Sequence, residues 1–296
     1  MARKGKNSIS KVVAVAIVAL MVFLVGFLQD KDAIPENVNP VSNGEIFLHI
    51  IDVGQGSSTL IQKGNEGILI DAGEADYAQT VIDYINSCGI TNLSYVVASH
   101  PHSDHIGGLP KVLDAFKVGE VLMPEIAEEN LPTTKVYERF LDAIVNNDIS
   151  ASYCEVGDVY SLDGISMEIL GPVKQIDDLN NMSAICKVTY GEIDTIILGD
   201  AEVKEIKSVY SNGGDFESEI LVMGHHGSRT SIHDEFLKAV NPEVALISCG
   251  KDNSYGHPHK ETISYLETNG IDYLRTDEVG SIVYRLDIYG YERTEK

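Results

Sequence analysis

The 296 residues include only four cysteines, Cys88, Cys154, Cys186 and Cys249, and no two of them form a C-x-x-C pair. That spacing excludes a metal–thiolate finger, and so few scattered thiols exclude a disulfide-stapled miniprotein. Cys88 closes a helical pattern while Cys186 and Cys249 lie in apolar runs, so the cysteines read as small buried hydrophobes. Basic residues are also scarce. Lys+Arg number 22 against 45 Asp+Glu, for a net charge of −23, and four of the basic ones (Arg3, Lys4, Lys6, Lys11) crowd the first eleven positions. Such a surface repels polyanions at long range, which excludes a generic nucleic-acid coat protein but not an enzyme that meets phosphate through a metal. There is no internal repeat, and no second apolar run long enough for a multi-helix transport channel follows the first.

That first run, Val12 to Leu28, follows the basic start without a single charge and ends at Gln29-Asp30-Lys31-Asp32. It is short for a spanning helix and lacks small residues at a cleavage spacing, so residues 1–29 are expected to be a signal anchor, or else a signal peptide. The charge asymmetry puts the N-terminus in the cytoplasm and the rest outside, in the cell membrane or, after cleavage, secreted. Residues 30–44, rich in Pro, Asn and Asp, form a linker, and residues 45–296 one folded domain.

Beyond the linker, short apolar runs alternate with amphipathic stretches. Strands are expected at Ile46–Val53, Thr59–Gln62, Gly67–Ile70, Leu93–Ser99, Glu120–Met123, Met167–Leu170, Ile185–Tyr190, Thr195–Leu198, Ile220–Met223, Val244–Ser248 and Ser281–Arg285. Helical spacing appears at Tyr77–Ser87, Lys135–Val145, Ala201–Tyr210, Ile232–Ala239 and Lys260–Thr268, the first and last closed by Gly89 and Gly270. So many strands with so few helices suggest two layered sheets covered by helices.

The chemistry gathers where strands end. After Tyr95-Val96-Val97-Ala98 comes Ser99-His100-Pro101-His102-Ser103-Asp104-His105-Ile106-Gly107-Gly108, an H-x-H-x-D-H pattern of the ligands that divalent metals such as zinc prefer. Alternate spacing lets His100 and His102 face one ion while Asp104 and His105 face a second. Asp71 ends the strand Ile68-Leu69-Ile70 and is placed to orient neighbouring imidazoles. Asp200 ends Thr195–Leu198 and is the natural bridging carboxylate. His225 and His226 follow Ile220–Met223, and His257 and His259 lie in the later loop Tyr255-Gly256-His257-Pro258-His259. Seven of the nine histidines thus fall in three loops.

Over nearly all of residues 46–284 the chain resembles the metallo-β-lactamase superfamily, and within it the soluble domain of ComEC-related competence proteins. The resemblance rests on FLHIIDVGQGSSTLI, ILIDAG, SHPHSDHIGGL, NNMSAICKVTYGEIDTIILGDAE, VMGHHGSRTS and YGHPH. It implies an α/β fold, a four-layer αβ/βα sandwich with metals at one edge. It also implies His100 and His102 at a first metal position, Asp104, His105 and His225 at a second, Asp200 at both, and Asp71 in support. Two departures stand out. No histidine occurs between His105 and His225, where most such hydrolases carry another ligand; Asn180, Asn181 and Ser183 occupy that region, with Asn181 and Ser183 as supporting residues. Ser57 stands where the branch usually has Asp.

One or two divalent ions, zinc or manganese, would lower the pKa of a water and neutralise substrate charge. Asp104, His226 and His257 are the candidate catalytic groups, the two imidazoles serving the leaving oxygen; His257 and His259 equally well brace their loop. The resemblance implies a nuclease or phosphodiesterase acting on DNA outside the cytoplasm, with membrane contact through the N-terminal segment. Hydrolysis of a lactone or β-lactam, or a non-catalytic metal-stabilised module, are the other classes the fold allows.

Overall fold

The computed structural model describes residues 45–294. Its strands, in chain order, are β1 (Ile46–Ile50), β2 (Thr59–Lys63), β3 (Glu66–Ile70), β4 (Asn92–Val97), β5 (Lys117–Met123), β6 (Ser150–Tyr153), β7 (Val159–Leu162) and β8 (Ile165–Gly171). They continue with β9 (Ile185–Tyr190), β10 (Ile193–Ile197), β11 (Ile220–Val222), β12 (Val244–Ile247), β13 (Asp272–Arg275), β14 (Ile282–Leu286) and β15 (Tyr291–Thr294). The α-helices are α1 (Ala78–Ser87), α2 (Ser103–Ile106), α3 (Leu109–Ala115), α4 (Lys135–Asn146), α5 (Val203–Asn212), α6 (Asp234–Val240), α7 (Lys260–Asn269) and α8 (Thr276–Val279).

Side chains alternate across each strand, so one strand feeds two cores. Ile68, Ile70, Val97 and Leu122 face inward and meet Cys186, Val188, Val222 and Leu246 of the other sheet in a shared core. Their neighbours Leu69, Val96 and Val121 face outward, onto Val81 and Ile85 of α1, Val112 of α3 and Phe140 of α4. On the opposite side Ile196, Leu221 and Ala245 pack against Ile206 of α5, Phe236 of α6 and Leu266 of α7. The result is the expected αβ/βα sandwich. One sheet runs β15-β14-β1-β2-β3-β4-β5-β6, the other β13-β12-β11-β10-β9-β8-β7.

The four strands that hydropathy alone does not reveal, β6, β7, β13 and β15, are the four edges of the two sheets. Edge strands have a partner on one side only and are more exposed, so they carry polar residues and lose the apolar signal; Asp272–Arg275 and Tyr291–Thr294 contain no fully buried residue. The short helices α2, α3 and α8 likewise lie outside the stretches where helical spacing is legible. The anchor and linker expected at residues 1–29 and 30–44 lie outside the described residues. Among the described residues no helix is long and apolar enough to cross a membrane. No disulfide joins the four cysteines; Cys154, Cys186 and Cys249 are buried as expected, whereas Cys88, at the open end of α1, is only half-buried.

Parallel pairing positions the site. β3 and β4 run parallel, as do β10, β11 and β12, so the chain leaves each group at one common edge. The two groups are tied there by the Ala184 N–H, which donates to the Ser99 carbonyl at 2.8 Å.

Glu205 of α5 is buried close to this edge. Its Oε1 accepts from the Val173 N–H at 2.6 Å, while Oε2 has no partner. Burial pushes its carboxyl up to about 7, against the pull of the Val173 bond. The fold therefore favours the neutral acid, and stability falls as pH rises from the unfolded-chain value through the raised one. In thermal melts, Glu205→Gln is expected to gain on the parent chain progressively from about pH 5 to about pH 7 and by a constant amount above. A difference that does not vary with pH would contradict this.

Candidate metal centre

Four side chains from both halves of the sandwich converge. Asp104, His105, Asp200 and His226 each offer a ligand atom, and all four atoms lie within 4.8 Å of one another. His226 Nε2 is 3.2 Å from Asp104 Oδ2, and His105 Nε2 is 3.1 Å from Asp200 Oδ1. The last two atoms are buried and close but not aligned as donor and acceptor, so each lacks a hydrogen-bond partner. Two orphaned buried ligand atoms facing each other are what a shared cation would satisfy.

The outer ring nitrogens show why the inner ones are available. His105 Nδ1 is 2.7 Å from Asp71 Oδ2, and Asp71 also accepts from the N–H and hydroxyl of Ser99 at 2.9 and 2.6 Å. His226 Nδ1 is 3.0 Å from the Ser248 carbonyl, and His225 Nδ1 is 3.2 Å from Glu202 Oε1. His100 Nδ1 lies 3.1 Å from Ser99 Oγ and 3.3 Å from Ser183 Oγ. An acceptor behind Nδ1 holds the proton there and turns the Nε2 lone pair inward, the arrangement metal-binding histidines use.

A second group of atoms sits beside the first. His100 Nε2 and His102 Nδ1 meet at 3.0 Å, and Asp200 Oδ2 lies 3.8 Å from both His100 Nε2 and His225 Nε2. Asp200 thus turns one oxygen to each group. The backbone sets these directions. His225 and His226 are consecutive residues in the left-handed region, at φ 50° and 55°, and Asp71 is there too at φ 62°. Three non-glycine residues in that costly region at one site are typical of geometry held for function. The left-handed pair sends His226 toward Asp200 Oδ1 (3.7 Å) and His225 toward Oδ2. Sequence reasoning puts His225 with Asp104 and His105 and gives His226 the leaving oxygen; the geometry has His226 in that group and His225 facing the other.

The remaining expected residues divide. Ser183 backs His100 and accepts from the Asp200 N–H at 3.0 Å. Asn181 instead caps α5, its Oδ1 accepting from the Glu202 and Glu205 N–H groups at 3.3 and 3.1 Å. His257 packs near the centre, its ring centroid 5.3 Å from that of His225. Gln55 accepts from the Gly250 N–H, so its amide nitrogen faces His257 Nδ1 at 3.4 Å and leaves that ring's proton on Nε2. Ser57 is a turn residue whose N–H donates to the Asp104 carbonyl at 3.0 Å. Ser99, Glu202, Ser248 and Gln55 escape sequence reasoning. Nothing in their types or spacing separates them from ordinary turn residues; only their position behind the rings does.

Charge follows from this packing. Burial raises Asp104 and Asp200, but the hydrogen bond from His226 and the charge of His105 lower Asp104 further, and His105 and His226 hold Asp200 well below the carboxylate range. Burial lowers His105 and His226, yet Asp200 outweighs it, assisted by Asp71 for His105 and by Asp104 for His226, so both rings end above the ordinary histidine value. For His257 the pull of Asp200 is too weak to prevail. Burial, with His225 and His226 beside it, pushes it down to about 4. It is neutral at pH 7, where it can give a hydrogen bond but not act as a reservoir of protons.

A fold of two helix-covered sheets with such a cluster at the strand ends defines a metal-dependent hydrolase scaffold. The chain belongs to the metallo-β-lactamase superfamily, whose model matches residues 51–251. It is 32% identical over 274 residues to the competence protein ComA of Neisseria gonorrhoeae, covering 90% of this chain and 35% of that protein. It is 28% identical to ComE operon protein 3 of Bacillus subtilis (strain 168), covering 84% of this chain and 34% of the relative. The chain therefore spans about a third of the length of these curated relatives. Among solved structures, the metallo-β-lactamase fold protein YhfI of Bacillus subtilis shares the fold with a TM-score of 0.55 at 12% identity, covering 82% of this chain and all (100%) of its own.

Because His105 and His226 are both raised above the ordinary histidine value and a cation must displace any proton they hold, metal uptake is expected to release protons at neutral pH and to tighten as pH rises above about 6.5. Calorimetric titration with zinc in buffers of different ionisation enthalpy checks this; affinity that ignores both pH and buffer would contradict it. Asp71→Asn is expected to weaken uptake by roughly ten- to a hundredfold through loss of the His105 orientation.

Proposed function

We propose that the chain is a metal-dependent phosphodiesterase that cleaves DNA outside the cytoplasm. The observation that carries this reading is Asp200, which turns one carboxylate oxygen to each of two imidazole groups, the layout of a centre that grips a substrate from two sides. Asp104, His105, Asp200 and His226 would hold one divalent ion, zinc or manganese. His100, His102 and Asp200 would hold the other, with His225 in place of the ligand histidine that is absent between His105 and His225. Bound ions contribute the positive charge that makes water acidic near neutral pH and that neutralises the substrate's phosphoryl oxygens. The chain's own groups do the rest. Asp71, Ser99, Ser183, Ser248 and Glu202 lock the rings so that no reorganisation is needed on binding, and His257, neutral, donates a hydrogen bond from Nε2 to the departing oxygen.

The acidic surface leaves limited purchase for a polyanion. Of the basic residues nearest the motifs, Lys187 is buried, 2.8 Å from Asp194 and bound to the carbonyls of Asp215 and Glu217, and so is spent internally. Lys204, Lys207, Arg229, Lys251 and Lys260 are exposed. Affinity for DNA therefore comes chiefly from the centre itself, and with few phosphates neutralised by side chains its salt dependence is shallow. Residues 1–29 tether the catalytic domain, 45–296, to the outer face of the membrane through the linker 30–44.

Purified protein is to be incubated with single- and double-stranded DNA, bis(4-nitrophenyl) phosphate, nitrocefin and a homoserine lactone, with added zinc or manganese or with chelator. Phosphodiester cleavage is expected, abolished by chelator and reduced on the order of a hundredfold or more in Asp104→Ala and Asp200→Ala. Turnover of nitrocefin or lactone without phosphodiester cleavage would replace this reading with cyclic amide or ester hydrolysis; metal uptake without any turnover would leave a metal-stabilised module. For location, external protease is expected to degrade the domain in intact spheroplasts.

A further inference from the structure

Tyr255 stands out beside the centre. It is 66% exposed, yet its ring lies nearly parallel to that of His257, with centroids 5.7 Å apart and planes 20° apart. His257 in turn packs against His225 and His226, at 5.3 and 6.1 Å between centroids. An exposed tyrosine is unremarkable by itself. This one, however, sits on a loop that is held rather than loose. Asn253 Oδ1 accepts from the N–H groups of Tyr255 and His257 at 3.2 and 3.0 Å, and its Nδ2 donates to the carbonyls of Gly250 and His257 at 2.8 and 2.5 Å. One face of the aromatic plane is thus turned to His257, which packs beside the centre, and most of the ring is open to solvent.

The surroundings narrow the ligand. Lys251 and Arg229 are exposed in the flanking turns, and the Arg229 N–H donates to His259 Nδ1 at 3.1 Å while His259 stands edge-on to His257 at 4.8 Å. A flat, open π-surface stacked on His257 and adjoining the proposed phosphodiester centre matches the way single strands are bound, with bases on aromatic rings. Resting on the phosphodiesterase reading above, we propose that Tyr255 is a stacking platform for an unpaired nucleobase of the strand whose phosphodiester enters the centre. A base within a duplex has both faces covered by its neighbours and cannot use the platform, so Tyr255 selects single strands and frayed ends over intact duplex. Tyr255 acts by positioning and takes no part in bond breaking.

The chain contains no tryptophan, so Tyr255→Trp introduces a single indole at the platform. Its fluorescence is expected to be quenched saturably by a short oligothymidylate and not by an equally long strand of abasic sugar-phosphates. Equal quenching by both strands, or by neither, overturns the proposal. In cleavage assays, the ratio of KM for the abasic strand to KM for the base-bearing strand is expected to be large in the parent chain and in Tyr255→Phe, and to fall on the order of ten- to a hundredfold in Tyr255→Ala. The preference for single strand over duplex falls with it. The two readings fail separately. Quenching by oligothymidylate with no cleavage of either strand removes the phosphodiesterase and keeps the platform. Cleavage with a KM ratio that Tyr255→Ala leaves unchanged removes the platform and keeps the phosphodiesterase.

Discussion

The Asp200 carboxylate is the constraint on which the site depends. It is buried, one oxygen faces His105 and His226, and the other faces His100 and His225. A buried carboxylate is tolerable only with positive partners, and here they come from both sheets. His100 and His105 follow β4 of one sheet, while Asp200 and the two tandem histidines follow β10 and β11 of the other. The same atoms that would hold cations therefore also close the sandwich at this edge. Site and fold are coupled through one residue.

The outer hydrogen bonds complete that coupling. Without Asp71 behind His105, Ser248 behind His226 and Glu202 behind His225, each ring could turn or change tautomer, and the inward nitrogens would lose their common focus. These partners are themselves anchored. Thr230 Oγ1 donates to the same Glu202 oxygen at 2.9 Å, and Ser248 Oγ donates to the Gly56 carbonyl at 2.8 Å. Left-handed backbone at Asp71, His225 and His226 is an energetic cost concentrated at the same spot, and two packed sheets over three cores are what hold it in place.

Much of this was legible in one dimension. Central strands such as Ile68–Ile70 and Ile220–Val222 are buried on both faces, so their apolar runs stand out from any neighbourhood, and the loops after them carry the histidines and aspartates. Edge strands such as Asp272–Arg275 were not legible, since a half-solvated strand has the composition of a loop. At the site, the H-x-H-x-D-H run declared itself by residue type. The division of labour between His225 and His226 did not, because two adjacent imidazoles are chemically identical until the backbone turns them. Asn181 shows the opposite failure: a polar residue near a metal motif whose side chain is used to start a helix.

Residue type and order alone determined that imidazoles and carboxylates would leave buried strands in glycine-rich turns, and hence that a cation-binding edge would form on a layered α/β scaffold. Only the tertiary structure decided which nitrogen faces which oxygen, that Lys187 is consumed inside the fold, and that Tyr255 lies open beside the centre. The reason is physical. Burial periodicity and ligand chemistry are properties of short stretches, whereas ring orientation, tautomer and exposure are set by contacts between groups as far apart as Asp104 and His226, which no local pattern records.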